Sequence, residues 1–217
     1  MARPAKAIIT RERAAKAALA EIEAHGLHGF GLAHVAARLG VKAPSLYHHF
    51  SNKDELLAET ARLLLVEGRL PEPIAGLDWR EEVVRISCAS RRAVLRHPKA
   101  AALLLRYFPR HVLMGAYERW AHVYALNDVP ARWRVIALEG AEKLTFGSAL
   151  FAAAAQTQGI EPFPVGDPAR FPNLTEAYKA NELDEEEIFV ACLWAFLNGL
   201  PLERPPAESA HRKPNGI

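Results

Sequence analysis

Small and apolar residues along this chain recur at helical rather than alternating spacing. Between Thr10 and His25, the positions Ala14, Ala17, Ala18, Ala20 and Ile22 fall between charged residues in a pattern that gathers them on one helix face. Thr10 is a suitable N-cap and Gly26 a suitable stop. "GLHGFG" (26–31) then forces a turn. A second short helix fits "LAHVAARLG", with Val35, Ala36 and Leu39 on one face and Gly40 as the residue that ends it. "VKAPSLYHHF" predicts a third, in which Pro44 sits in the first turn, where its missing N–H has no partner to lose. Ser51 or Asn52 can cap a fourth helix, whose Leu56, Leu57, Ala61, Leu64 and Leu65 continue toward Gly68. Three short helices, the last two separated by a glycine turn, make a helix-turn-helix.

After "EGRLPEPIAGLD", a linker rich in Pro and Gly, the pattern stays helical. One helix is expected from Trp79 to about Arg96, with Val83, Ile86, Ala93 and Val94 among its apolar positions. Pro98 opens a shorter one through Leu105, Pro109 another through Leu126, and Pro130 a long one toward Ala155. Residues 158–172 read as a breaker-rich loop. "NELDEEEIFVACLWAFLNGL" supplies a final helix whose acidic first turn suits the helix dipole. Without strand alternation of useful length, the predicted fold class is all-α.

Composition changes this picture little: 217 residues, 50% hydrophobic and 24% charged, suffice for a substantial core. The basic N-terminus lacks an apolar signal run, and no stretch suits a membrane span. Cys88 and Cys192 lie far apart in helical patterns and suggest neither a disulfide framework nor a metal motif. A reducing, cytoplasmic location is the default, with no membrane partner.

Charge adds more. Residues 1–53 hold eight Lys or Arg against three Glu, a net of +5, whereas 54–217 hold nineteen basic and twenty-two acidic residues, a net of −3. Such asymmetry fits a module that faces nucleic acid joined to one with another task; variation of an ordinary surface is the alternative that charge alone leaves open.

"GFGLAHVAARLGVKAPSLYHHFSNKDELL" (29–57) resembles the DNA-binding domain of tetracycline-repressor (TetR) family regulators. The resemblance rests on Leu39, Gly40 and Val41 at the turn, on Leu46, Tyr47, His49 and Phe50 ending the third helix, and on Lys53, Asp54 and Glu55 opening the fourth. It implies a helix-turn-helix domain over 1–57, a linking helix at about 53–68, a ligand-binding and dimerisation domain over 69–203, and a flexible tail over 204–217.

The physical reading agrees. A major groove about 12 Å wide admits one short reading helix if another helix braces it. Leu46 and Phe50, four apart, would face the core, leaving Lys42, Ala43, Pro44, Ser45, Tyr47 and His48 toward DNA. Tyr47 and His48 can donate to phosphates, Ser45 can reach a base edge or phosphate, and Ala43 can touch a thymine methyl. Lys53 is placed to pair with phosphate. The resemblance implies DNA contact for these third-helix positions and that lysine. Two departures from the family stand out: Leu32, Ala33 and His34 replace the usual Ser or Thr cap and nearby Arg of the second helix. The operator of better-known members therefore does not transfer.

Adjacent helical histidines such as His48 and His49 diverge by about 100°, and no carboxylate or cysteine completes a metal set with them. "GLHGFG" lacks the ending and preceding strand of a phosphate loop. No metal or cofactor is implied, and no residue is assigned a catalytic role.

The C-terminal part resembles the tetracycline-repressor branch itself through "DWREEVVRISCASRRAVLRHPKAA", "LTFGSALF" and "IFVACLWAFLNGLPLE". In that branch an Asn, a Phe, a His and a Glu hold the drug and its magnesium; Ile86, Ser90, Leu104 and Phe151 stand at the matching positions here. Ligands for a Mg²⁺ chelate are missing, so a largely apolar small molecule is the expected effector. The candidate pocket comprises Ile86, Leu104, Phe108, His111, Trp120, Thr145, Phe146 and Phe151, each of which could equally be plain core. Two helices offer a homodimer contact: Ala137, Gly140, Ala141, Gly147, Ser148 and Ala152 on one, Ile188, Ala191, Cys192, Ala195 and Phe196 on the other. The expected function is a ligand-responsive DNA-binding repressor acting on a double-stranded operator. An enzyme on a helical scaffold and a ligand-independent DNA-binding protein are the rivals; the first lacks any recognisable catalytic motif.

Overall fold

The computed structural model describes residues 9–66, 71–72, 74, 76–161 and 166–202. All regular structure among them is helical, in the order α1 (Arg11–His25), α2 (Leu32–Arg38), a 3₁₀ turn (Ala43–Ser45), α3 (Lys53–Val66), α4 (Trp79–Leu95), a second 3₁₀ turn (Pro98–Ala100), α5 (Leu103–Tyr107), α6 (Arg110–Leu126), α7 (Ala131–Gln158), α8 (Pro172–Ala180) and α9 (Glu185–Asn198).

Local chemistry accounts for most boundaries. Thr10 caps α1 by accepting from the Arg13 N–H, and Asp184 and Glu187 form a reciprocal capping box at α9. Gly40 has φ +68°, a left-handed conformation that lets the chain leave α2 and turn into the next element. The expected third helix is instead a single 3₁₀ turn followed by further turns, and so the linking helix is α3. Pro44 supplies no N–H there, and the surviving bonds are short-range ones such as Ser45 N–H to Lys42 C=O (2.9 Å) and Leu46 N–H to Ala43 C=O (3.0 Å).

Three other expectations shift. Pro98 opens a 3₁₀ turn, and α5 begins only at Leu103. Helix α7 runs past Ala155 to Gln158. Helix α8 was not foreseen, because Pro172 reads as a breaker although it occupies the first helical turn, where proline is tolerated. The Gly68 end of the linking helix and the 204–217 tail lie outside the described residues.

Two hydrophobic clusters organise the molecule. The first joins Ile22, Val35, Leu46, Phe50 and Leu56 of the N-terminal head, through Leu64 of α3, to Val94, Leu103, Leu104, Ala149 and Ala153. The head's core therefore continues across residue 57 into the C-terminal body. The second gathers Trp79, Val83, Tyr124, Trp133, Ala137, Phe189, Leu193 and Leu197. Helix α7 contributes to both and packs against α4, α6 and α9.

A buried arginine ties three of these helices. Arg91, 2% exposed, donates to Ser148 Oγ on α7 (2.9 Å) and to Glu185 on α9. Burial pulls its pKa down, with Glu186 opposing that shift; an arginine there stays charged and needs these acceptors. Nearby, the Phe196 ring lies against Gly140, where a Cβ would overlap three ring atoms. Gly140 and Phe196 thus pack within one chain, and Ala137, Ala141 and Ala152 are buried with them rather than offered to a second copy. Phe151, Ile188, Ala191, Cys192 and Ala195 remain exposed on α7 and α9.

Candidate nucleic-acid interface and ligand cavity

The reading element is built outward from two anchors. Leu46 (1% exposed) and Phe50 (3%) are buried, while Tyr47 is 55% exposed. Lys42, Pro44 and His48 are also exposed, and Ala43 and Ser45 are half-buried. The residues expected to meet DNA therefore all reach solvent, wholly or in part.

Short-range backbone bonds hold this turn, and side chains from neighbouring elements brace it further. Arg11 of α1 donates to the His49 carbonyl and to Glu55 (2.7 Å), and its guanidinium lies 4.4 Å from the Phe50 ring centroid. Glu55 also accepts from the Ser51 N–H (2.6 Å), while Asn52 caps α3 by accepting from the Glu55 N–H (2.8 Å). The Ser51 N–H, and then Arg11, hold the Glu55 carboxyl below the usual range. Lys53 donates to the Phe30 carbonyl (3.1 Å) beside the Phe30 ring, so it braces the head while remaining exposed.

Helix α2 begins at Gly31 without a side-chain cap, matching the absent Ser or Thr. His34 there lies near His25, ring centroids 6.2 Å apart, and Glu21 pairs with Arg38 at 2.6 Å. Among the described residues no group of three His, Cys, Asp or Glu could hold a metal ion.

A cavity of about 130 Å³ opens between α3, α4, α6 and α7. Of the expected pocket residues, Ile86, Trp120, Thr145 and Phe146 line it. The other four do not. Leu104 is buried in the first cluster, His111 is exposed, and Phe151 is 80% exposed. Phe108 sits one layer out, edge-on to Phe146 with centroids 4.9 Å apart.

Sequence reading missed much of the lining, including Leu65, Val83, Tyr117, Tyr124 and Glu142. Tyr117 donates to Glu142, which also pairs with Arg110 (2.7 Å). Burial and this carboxylate push the Tyr117 phenol well above its ordinary pKa, and burial alone does so for Tyr124. Tyr117 and Glu142 are separated by 25 positions and meet only because α6 packs on α7. No helix among the described residues is long and apolar enough to cross a membrane.

An exposed, braced reading turn behind a helix-turn-helix, carried on a helical body, defines a DNA-binding regulator of transcription. Residues 15–60 match the family "Bacterial regulatory proteins, tetR family". The chain is 34% identical over 98 residues to an HTH-type transcriptional regulator of Saccharopolyspora erythraea, a match spanning 45% of this chain and 41% of that protein. It is 27% identical over 194 residues to the Escherichia coli tetracycline repressor protein class D, covering 88% of this chain and 86% of that one. Apo ActR from Streptomyces coelicolor superposes with a TM-score of 0.71 at 26% identity, over 90% of this chain and 96% of that chain. ActR has also been solved with (S)-DNPA and with actinorhodin. Over residues 15–60, and more distantly over most of its length, the chain is similar to bacterial regulatory proteins of the tetR family.

Proposed function

We propose that this protein is a homodimeric repressor whose hold on a double-stranded operator is released by a small molecule in the α3–α4–α6–α7 cavity. One observation carries the reading: α3 joins the two sites. Its first residues, Lys53 to Glu55, brace the reading turn, and Leu65 near its far end lines the cavity. A helix of that length spans about 21 Å. It is a rigid lever between cavity and head.

A second contact runs in parallel. Phe146 of the cavity wall meets Phe108, and the adjoining Tyr107 donates to Asp54 of α3 (2.6 Å), which Arg106 also approaches at 3.3 Å. An occupant that pushes on Leu65 or Phe146 would tilt α3 and move the reading turn. Release requires that the occupant bind the tilted state more tightly than the DNA-bound one.

Dimerisation supplies the paired heads that a near-palindromic site needs. The exposed small and apolar residues of α7 and α9, among them Phe151, Ile188, Ala191 and Ala195, support that contact, as does Gly147, whose missing Cβ would meet nothing within 4 Å. The direct DNA contacts assigned are Lys42, Ala43, Pro44, Ser45, Tyr47 and His48, with Lys53 at the phosphate margin. The ligands named for ActR support a small organic effector. The protein acts in the cytoplasm, where its operator is, and no catalytic step is assigned to it.

Selection of bound fragments from random DNA, followed by anisotropy titration across salt, tests the DNA part. A two-head footprint with affinity falling steeply as salt rises is expected. Monomeric or salt-independent binding would contradict it.

A further inference from the structure

We infer that the cavity selects a compact, single-ring organic molecule bearing an N–H or O–H donor and rejects carboxylates of the same size. The inference rests on the cavity being the effector site. Size is the first constraint. At about 130 Å³ the space is close to that of a cavity of about 150 Å³ known to take benzene, so one ring fills it and presses on its walls.

Charge is the second constraint. Among the described residues no Lys, Arg or His lines the cavity, and its one ionisable acid, Glu142, is largely buried. A bound carboxylate would lose its hydration beside a like charge, and the nearby cation, Arg110, is already paired with Glu142. Such burial is strongly unfavourable.

Hydrogen bonding is the third. Glu142 accepts from Tyr117 and pairs with Arg110, and a carboxylate has about four acceptor positions, so room for a further donor remains. Ser87, Ser90 and Tyr124 also line the space, and their hydroxyls make no hydrogen bond within the described residues. The aromatic rings of Tyr117, Trp120, Tyr124 and Phe146 suit either a neutral ring or a benzylic ammonium. Donor chemistry is shared by both: Glu142 can only accept, and the hydroxyls of Ser87, Ser90 and Tyr124 can accept as well as donate.

The test uses three probes of matched size on the full-length protein: benzyl alcohol, benzylamine and benzoate, titrated calorimetrically at pH 7. Benzyl alcohol and benzylamine should bind, with benzoate at least tenfold weaker. Glu142→Gln should weaken benzylamine at least fivefold while changing benzyl alcohol less than twofold. Because Glu142 also holds Tyr117 and Arg110, Ser90→Ala serves as a second variant and should weaken benzyl alcohol about threefold. Benzoate binding as tightly as benzyl alcohol would overturn the selectivity, and so would failure of all three to bind. Either result leaves the effector-site reading standing if some other compound releases DNA and that release is lost when the cavity is filled by Ala116→Phe. If no compound releases DNA while benzyl alcohol binds, it is that reading that fails.

Discussion

The Arg11 guanidinium stacks on Phe50 at 4.4 Å and donates to the carbonyl of His49, so the end of the reading turn is held from α1 as well as by its own backbone bonds to Leu46. Removing it should loosen the turn without removing a DNA contact. Arg11→Ala is predicted to weaken operator binding by about 1–2 kcal/mol, roughly tenfold, from the lost stacking and charge-assisted bonds. The slope of log affinity against log salt should stay unchanged.

Lys42→Ala makes the contrasting case. Lys42 is exposed at the start of the reading turn. Loss of one phosphate contact should weaken binding similarly on all sequences and reduce the salt slope by about 1. Anisotropy titrations at several salt concentrations separate the two behaviours.

Gly140 and Phe196 make a steric prediction. Since a Cβ at Gly140 would overlap the Phe196 ring, Gly140→Ala should destabilise the fold by about 1–3 kcal/mol, read by urea denaturation. The double variant Gly140→Ala, Phe196→Leu should recover part of that loss.

Much of this head is legible in sequence because its determinants are local. Thr10, Gly26, Gly40 and Pro44 act within a few residues of themselves, and Leu46 with Phe50 marks the buried side of a short element by spacing alone. The shape of the reading element was less legible: the pattern predicts a helix, but Pro44 and the short span leave one 3₁₀ turn. The cavity was legible only where a residue's own helix face decides its surroundings, as for Ile86 and Trp120. Phe151 is as apolar as Phe146, yet five positions on it faces outward, and nothing local tells the two apart. The Tyr117–Glu142 pair is a product of packing between α6 and α7, invisible to any window along the chain.

Acid should loosen the head and the α4–α9 contact together. The carboxyls of Glu55, Glu21 and Glu186 are each held below the ordinary value, chiefly by hydrogen bonds from the Ser51 N–H, Arg38 and Arg92 respectively. The unfolded chain then binds more protons, so stability rises with pH through this range. Their contribution is complete above the ordinary carboxylate pKa of about 4.3 and is lost as pH falls through the lowered values. Thermal melts should show a falling midpoint below about pH 4.5 and little change from these groups between pH 6 and 8. Glu55→Gln should flatten part of the acid limb.

Tyr107→Phe tests the parallel contact. It removes the donor to Asp54 but leaves Arg106 near the same carboxylate. Operator affinity of the empty protein should change less than about threefold, whereas the coupling between cavity and head should weaken by about 0.5–2 kcal/mol in a double-mutant cycle with a cavity-filling substitution.

That substitution gives the most direct test of the central claim, that α3 couples cavity occupancy to DNA binding. Ala116 lines the cavity, and a phenyl group there would occupy it without any knowledge of the effector. Operator affinity of Ala116→Phe, measured by anisotropy alongside its melting curve, is predicted to fall at least tenfold, about 1.4 kcal/mol, in a protein that still folds and dimerises. A folded Ala116→Phe dimer with unchanged operator affinity would contradict the account.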